Sequence, residues 1–187
     1  MPRPPLLPSL DWRAIFESGV SFDAWLARAE YPHYRDAMRE GAERLPLPVE
    51  VESTLARLNR AVHVVAIAED WCGDVVRHVP ALARIARTSP LMRVRYITRE
   101  QHLQVFVRYL TNGGEAIPKF IFLNDDFVEC GNWGPMQADC REWIARGKAR
   151  GDVGSARARV SAAYEADPDL RQVFHELAHL VDIASGN

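Results

Sequence analysis

AVHVVAIAEDWCGDVVRHVPALARIART, residues 61–88, is the stretch on which the fold turns. Its first eight residues are apolar and rich in β-branched side chains, the composition of a strand buried on both faces. A short acidic turn, EDWCGD, follows. From about Asp74 to Thr88, Val75, Val76, Val79, Leu82, Ala83 and Ala86 fall on one stripe, which predicts an amphipathic helix. Working outward, MRVRYIT (92–98) reads as a second strand, and EQHLQVFVRYL (100–110) as a helix stopped by Asn112-Gly113-Gly114. IPKFIFL (117–123) reads as a third strand. Asn124-Asp125-Asp126 turns the chain into FVECG, a fourth strand and the second arm of a hairpin. A helix follows from Pro135 to Gly147, then a helical tail over 155–184 broken at Asp167-Pro168.

Upstream, four helical segments are expected. Ser9 and Ser21 are suited to cap the first two, the third spans 33–44, and the fourth spans 49–59. The order is a helical prelude and then β-α-β-α-β-β-α. A strand–helix–strand unit crosses over right-handed, so the first two strands are parallel. The expected fold is α/β, a mixed four-stranded sheet with helices on both faces. The expected organisation is a helical extension over 1–57 packed on the core, an α/β domain over 58–150 and a helical tail over 151–187.

Composition narrows the function. The chain has 187 residues, 48% of them hydrophobic and 26% charged, enough to bury a real core. Net charge is −2 at pH 7, which argues against a nucleic-acid module built on a basic surface. The apolar runs are too short to span a membrane. MPRPPLLPSL lacks the apolar centre of a signal peptide, so the expected location is cytoplasmic. Three cysteines, Cys72, Cys130 and Cys140, do not make a disulfide framework. The question they raise is whether one is reactive.

Four local features answer together. WCGD ends the first strand and opens a helix, Pro80 lies eight residues after Cys72, Pro118 starts the third strand, and Gly131 closes the hairpin. In this order, on these elements, they resemble the thioredoxin-like superfamily over roughly residues 58–147. The finer pattern EDWCGD, YLTNGGEAIPKFIFL and GNWGP resembles a bacterial group described only as "thioredoxin family protein". The resemblance implies that Cys72 is the active cysteine and that Pro118 is cis, exposing the Ile117 backbone to a peptide or a small thiol. It also implies that Trp71, Gly73 and Asp74 border the substrate.

Placed so, Cys72 sits at a helix N-terminus, where unpaired N–H groups and the helix dipole favour a thiolate. The carboxylates of Glu69, Asp70 and Asp74 oppose that, so a mild perturbation is expected. Arg77 and His78 are candidates to offset part of it. Asp74 has a second reading, as a first-turn acid that complements the dipole.

Two departures from the family pattern matter more. The position of the second, resolving cysteine holds Val75, and that of a buried aspartate holds Ala66. The expected chemistry is therefore monothiol, without a cofactor, on a protein or low-molecular-weight thiol or disulfide. The alternative is a non-catalytic binding module with a degenerate site. Cys130 is a candidate distant partner for Cys72, against a plain buried role. Cys140 reads as structural. Asn112 and Trp133 are further candidates for the rim, against helix termination and packing. His175-Glu176-Leu177-Ala178-His179 matches the HExxH zinc-protease pattern. It has no third ligand in place, and its histidines fall on the polar side of an ordinary amphipathic helix.

Overall fold

The computed structural model describes residues 7–186; the proline-rich opening, MPRPPL, lies outside them. The prelude forms α1 (Trp12–Ser18), α2 (Phe22–Leu26), α3 (Pro32–Arg44) and α4 (Val49–Ala56). Then come β1 (Val62–Ile67), α5 (Gly73–Thr88), β2 (Met92–Ile97), α6 (Leu103–Phe106), β3 (Lys119–Leu123) and β4 (Glu129–Trp133). Three helices close the chain: α7 (Ala138–Arg150), α8 (Val153–Ala166) and α9 (Arg171–Ser185).

The sheet order is β2-β1-β3-β4, with β1 parallel to β2 and antiparallel to β3, and β3 antiparallel to β4. Every residue of β1 and β3 is buried. That is why those two stretches read as continuous apolar runs rather than alternating ones.

The two faces follow from strand alternation. On one, Phe120 of β3 stacks on Trp133, and Trp133 meets His78 of α5 edge-on at 5.2 Å. On the other, His63 of β1 takes the ring edge of Phe16 in α1 at 4.9 Å. The tail closes back on the domain, with α9 packed against α4, α5 and β4.

Three details differ from the sequence reading. Asp11, not Ser9, caps α1, its carboxylate accepting the Ala14 N–H at 3.0 Å. The helix expected over 100–110 shrinks to one turn, α6, because only Val105, Phe106 and Tyr109 turn inward while Leu103, Val107 and Leu110 face solvent. A single turn has too little buried surface to propagate. The fourth strand starts two residues late. Phe127 adopts a left-handed conformation (φ 63°) and the β3–β4 register slips at Phe122/Leu123, lengthening the turn.

Candidate functional site

β1 delivers the chain to the C-terminal edge of the sheet, and α5 starts there with Cys72 as its N-cap. The thiol is half-buried and donates to the Ile117 carbonyl at 3.5 Å. The Ile117–Pro118 bond is cis, and a second cis bond, Gly134–Pro135, lies beside it. Gly134 (φ 117°) lies so close that a Cβ there would stand 2.1 Å from the Pro118 carbonyl oxygen. Only glycine permits that approach.

The loop carrying the cysteine is pinned on both sides. Asp70 accepts the backbone N–H groups of Glu30 and Tyr31 at 2.7 and 3.2 Å, so it serves the prelude rather than the sulfur. Glu69 holds Arg99 through its side chain at 3.0 Å and accepts the Arg99 backbone N–H at 3.1 Å. The Arg99 guanidinium lies 5.2 Å from the Trp71 ring, and Trp71 is 48% exposed. The indole is therefore a flank of the loop, held by a cation, and open to solvent. Gly73 is exposed, with nothing within 4 Å of a Cβ placed there.

Burial pushes the Cys72 thiol up from its ordinary pKa. The N–H groups of Val75 and Asp74 pull it down, and the Asp74 and Glu69 carboxylates raise it further; the net is upward. The sequence reading, which weighed the helix dipole against the carboxylates, missed desolvation, the largest influence. Arg77 and His78 do not offset it. The Arg77 guanidinium donates at 2.8 Å to the carbonyls of Tyr164 and Asp167, at the C-terminus of α8. His78 is fully buried and neither ring nitrogen makes a hydrogen bond, although the Asp74 and Pro135 carbonyls lie near. Burial and Arg77 hold its pKa at about 3.

Asp74 is more than a dipole-complementing acid. Its carboxylate accepts the Tyr164 hydroxyl at 2.9 Å, tying α5 to α8. Burial raises its pKa against the lowering effects of that hydrogen bond and of Arg77. Val75 is completely buried, so an apolar side chain packs where the family pattern has its second cysteine.

Lys119 was not singled out from sequence, where it reads as one polar residue in an apolar strand. It is 3% exposed, and its ammonium donates to the Gly134 carbonyl at 2.8 Å and to the Thr111 hydroxyl. It thereby joins the two loops that flank Pro118. Burial and Arg141 bring its pKa down to about 8. Of the two rim candidates, Trp133 is a core residue, 2% exposed. Asn112 takes a left-handed conformation (φ 52°) in the turn after α6.

The other cysteines stand apart. Cys130 lies between Gly131, which faces Phe122, and Glu129, which faces Leu123. From Ile117 to that register is five residues or more, roughly 15 Å at the rise of a strand, well beyond the reach of a disulfide, about 7 Å. The register thus decides against Cys130, the candidate distant partner, as a partner for Cys72. Cys140 is buried in α7, and desolvation with Asp139 and Glu176 pushes its pKa up to about 11.

The HExxH stretch is a packing helix. Glu176 accepts the Trp133 indole N–H at 2.6 Å and the Ala138 backbone N–H at 3.1 Å, while His175 and His179 are exposed. Among the described residues no three His, Cys, Asp or Glu side chains converge as a metal site. Nor, among them, is any helix long and apolar enough to cross a membrane.

A parallel β-α-β unit, an antiparallel hairpin and a single cysteine capping the intervening helix beside an Ile-Pro loop define a thioredoxin-like protein. The family model described as thioredoxin matches residues 19–150, and the chain belongs to that family. The match reaches beyond the α/β core to take in α2, α3 and α4. A Pseudomonas aeruginosa protein of unknown function is 17% identical, with 93% of this chain and 98% of that one covered, at a TM-score of 0.71. An HIV epitope-scaffold is 18% identical, with 92% and 98% covered, also at 0.71. At these identities the likeness is one of fold. No curated protein matches the chain.

Proposed function

We propose that the protein carries out monothiol thiol–disulfide exchange through Cys72, on a protein or low-molecular-weight thiol or disulfide. The observation that carries this reading is the position of the sulfur. Cys72 is the N-cap residue of α5, and its half-exposed sulfur lies near the N–H groups of Val75 and Asp74 and next to the Ile117 carbonyl. Those N–H groups favour negative charge on sulfur when the proton leaves.

In the step, the Cys72 thiolate attacks one sulfur of a disulfide. A new S–S bond forms, the old one breaks, and its electron pair departs with the other half as a thiolate. With Val75 in the resolving position, a second thiol from solution must attack the mixed disulfide. That attack regenerates the Cys72 thiolate and leaves a new disulfide in solution. Trp71, Gly73 and Asp74 border the approach on the α5 side. Ile117 and Pro118 are buried, so the Ile117 backbone is not open to substrate, contrary to expectation, and meets the site through its carbonyl on the thiol.

The raised thiol pKa and the paired losses at Val75 and Ala66 favour a second reading, a thioredoxin-fold module that binds an extended chain at this site without chemistry. The two differ in a pH profile. Cys72 alkylation, followed by mass spectrometry with Cys72→Ser as control, is expected to be slower than that of a free cysteine peptide at pH 7. Its rate is expected to climb about tenfold per pH unit, with an inflection above the peptide's. Mixed disulfides should form in the same alkaline range. A Cys72 that is neither alkylated nor converted to a mixed disulfide at any pH below unfolding overturns the thiol reading and leaves the binding module.

A further inference from the structure

Beside Asp74 lies a cavity of about 500 Å3 whose charge the exchange step does not use. Its walls come from the turn after α6, from α7 and from α8. Arg141, Lys148 and Arg157 line it, and none of the three forms an ion pair among the described residues. Arg141 donates to the Met136 carbonyl at 2.7 Å, and Lys148 reaches the Asn112 carbonyl at 3.4 Å. Both retain further donors.

Of the two carboxylates of the lining, only Glu115 is neutralised by a cation, and Asp74 keeps its charge against the three cations. Asp74 accepts the Tyr164 hydroxyl, and Glu115 pairs with Arg99 at 3.2 Å. The cavity therefore carries an excess of cations in a chain of net charge −2. Lys148 and Arg157 are exposed, so the field they set up is screened by salt. Ile144 and Val160 add an apolar wall. Cys72 itself does not line the cavity, but two lining residues are its near neighbours: Asp74 is two residues past Cys72, and Ala116 precedes the Ile117 that accepts the thiol's hydrogen bond.

We propose that this cavity seats the anionic arm of the Cys72 substrate, a small aliphatic disulfide or thiol ending in a carboxylate, with Lys148 and Arg157 as its charge partners. The sulfur chemistry rests on the thiol reading above; the anion site rests on the cavity and its charges alone.

The test uses two disulfides with equal two-carbon arms and opposite charge, dianionic dithiodipropionate and dicationic cystamine. A third probe is suberate, the all-carbon counterpart of dithiodipropionate, which binds without exchange. Rates of mixed-disulfide formation on Cys72, divided by those of a free cysteine peptide, are expected to favour dithiodipropionate by about tenfold or more. In Lys148→Gln/Arg157→Gln that preference should fall by about tenfold, with cystamine no slower and thermal unfolding unchanged. Suberate titrated by calorimetry should bind the wild-type protein and Cys72→Ser alike, and bind the double variant at least tenfold more weakly.

Exchange without charge preference, together with no suberate binding, overturns the anion site and leaves the thiol reading standing. Suberate binding with no exchange by either disulfide does the reverse. If the double variant loses its fold, Arg157→Gln alone, on an exposed position, decides by the same two ratios.

Discussion

Glu176→Ala tests whether the HExxH helix is a structural clamp. The carboxylate holds two donors from elsewhere in the chain: the indole of Trp133, itself 2% exposed, and the first backbone N–H of α7, on Ala138. Losing the indole bond leaves a buried N–H unpartnered, a cost of about 1.5–3 kcal/mol for a bond to a charged acceptor. Losing the carboxylate at the start of α7 adds about 0.5–1 kcal/mol. The expected destabilisation is about 2–4 kcal/mol, or roughly 5–15 °C in Tm for a chain of this length.

Glu176→Gln keeps an acceptor and should cost about 1 kcal/mol. His175→Ala and His179→Ala alter exposed side chains and should stay within about 0.5 kcal/mol of wild type. Urea unfolding followed by tryptophan fluorescence measures all four. A Glu176→Ala protein as stable as wild type would refute the clamp. So would histidine substitutions that destabilise equally, or a Tm that rises with added zinc and ceases to do so when either histidine is removed.

Two further outcomes follow from buried polar groups and from register. His78→Leu replaces a ring whose nitrogens are both unpartnered, so at pH 7 the variant should be at least as stable as wild type. In the folded protein His78 resists protonation down to about pH 3, against an ordinary 6.5 when unfolded. The unfolded state thus binds more protons between those values, and wild-type stability falls as pH drops through that window, by up to about 1.4 kcal/mol per unit. Stability differences between wild type and His78→Leu from pH 7 to 4 should widen accordingly; a constant difference would contradict a buried neutral imidazole. Oxidation by diamide, analysed by peptide mass mapping, should yield no intramolecular Cys72–Cys130 bridge, and finding one in folded monomer would refute the register of β3 and β4.

Local pattern carried the fold because each strand and helix of the core has a period or composition of its own. β1 and β3 are apolar except for His63 and Lys119, being covered on both faces, and α5 shows its stripe through Pro80. WCGD and the proline of AIPKF lie far apart in sequence, yet their place at strand ends brought Cys72 and Ile117 together in the reading. The cost of desolvating Cys72 was not legible, because burial depends on what packs over a residue, here including the Ile117 carbonyl from the loop before β3. For the same reason Asp70 read as a charge near the sulfur, when its partner is the backbone of Glu30 and Tyr31, forty residues upstream.

Sequence alone thus determined the element order, the helix-start cysteine and the missing resolving thiol, since these are properties of single residues and their neighbours along the chain. Tertiary structure decided the rest. It tied Asp74 to Tyr164, buried Lys119 between two loops and gathered three cations from α7 and α8 around one cavity. Such pairings join residues from 8 to 90 positions apart, and each hydrogen bond or charge interaction depends on distances that only the packed chain sets.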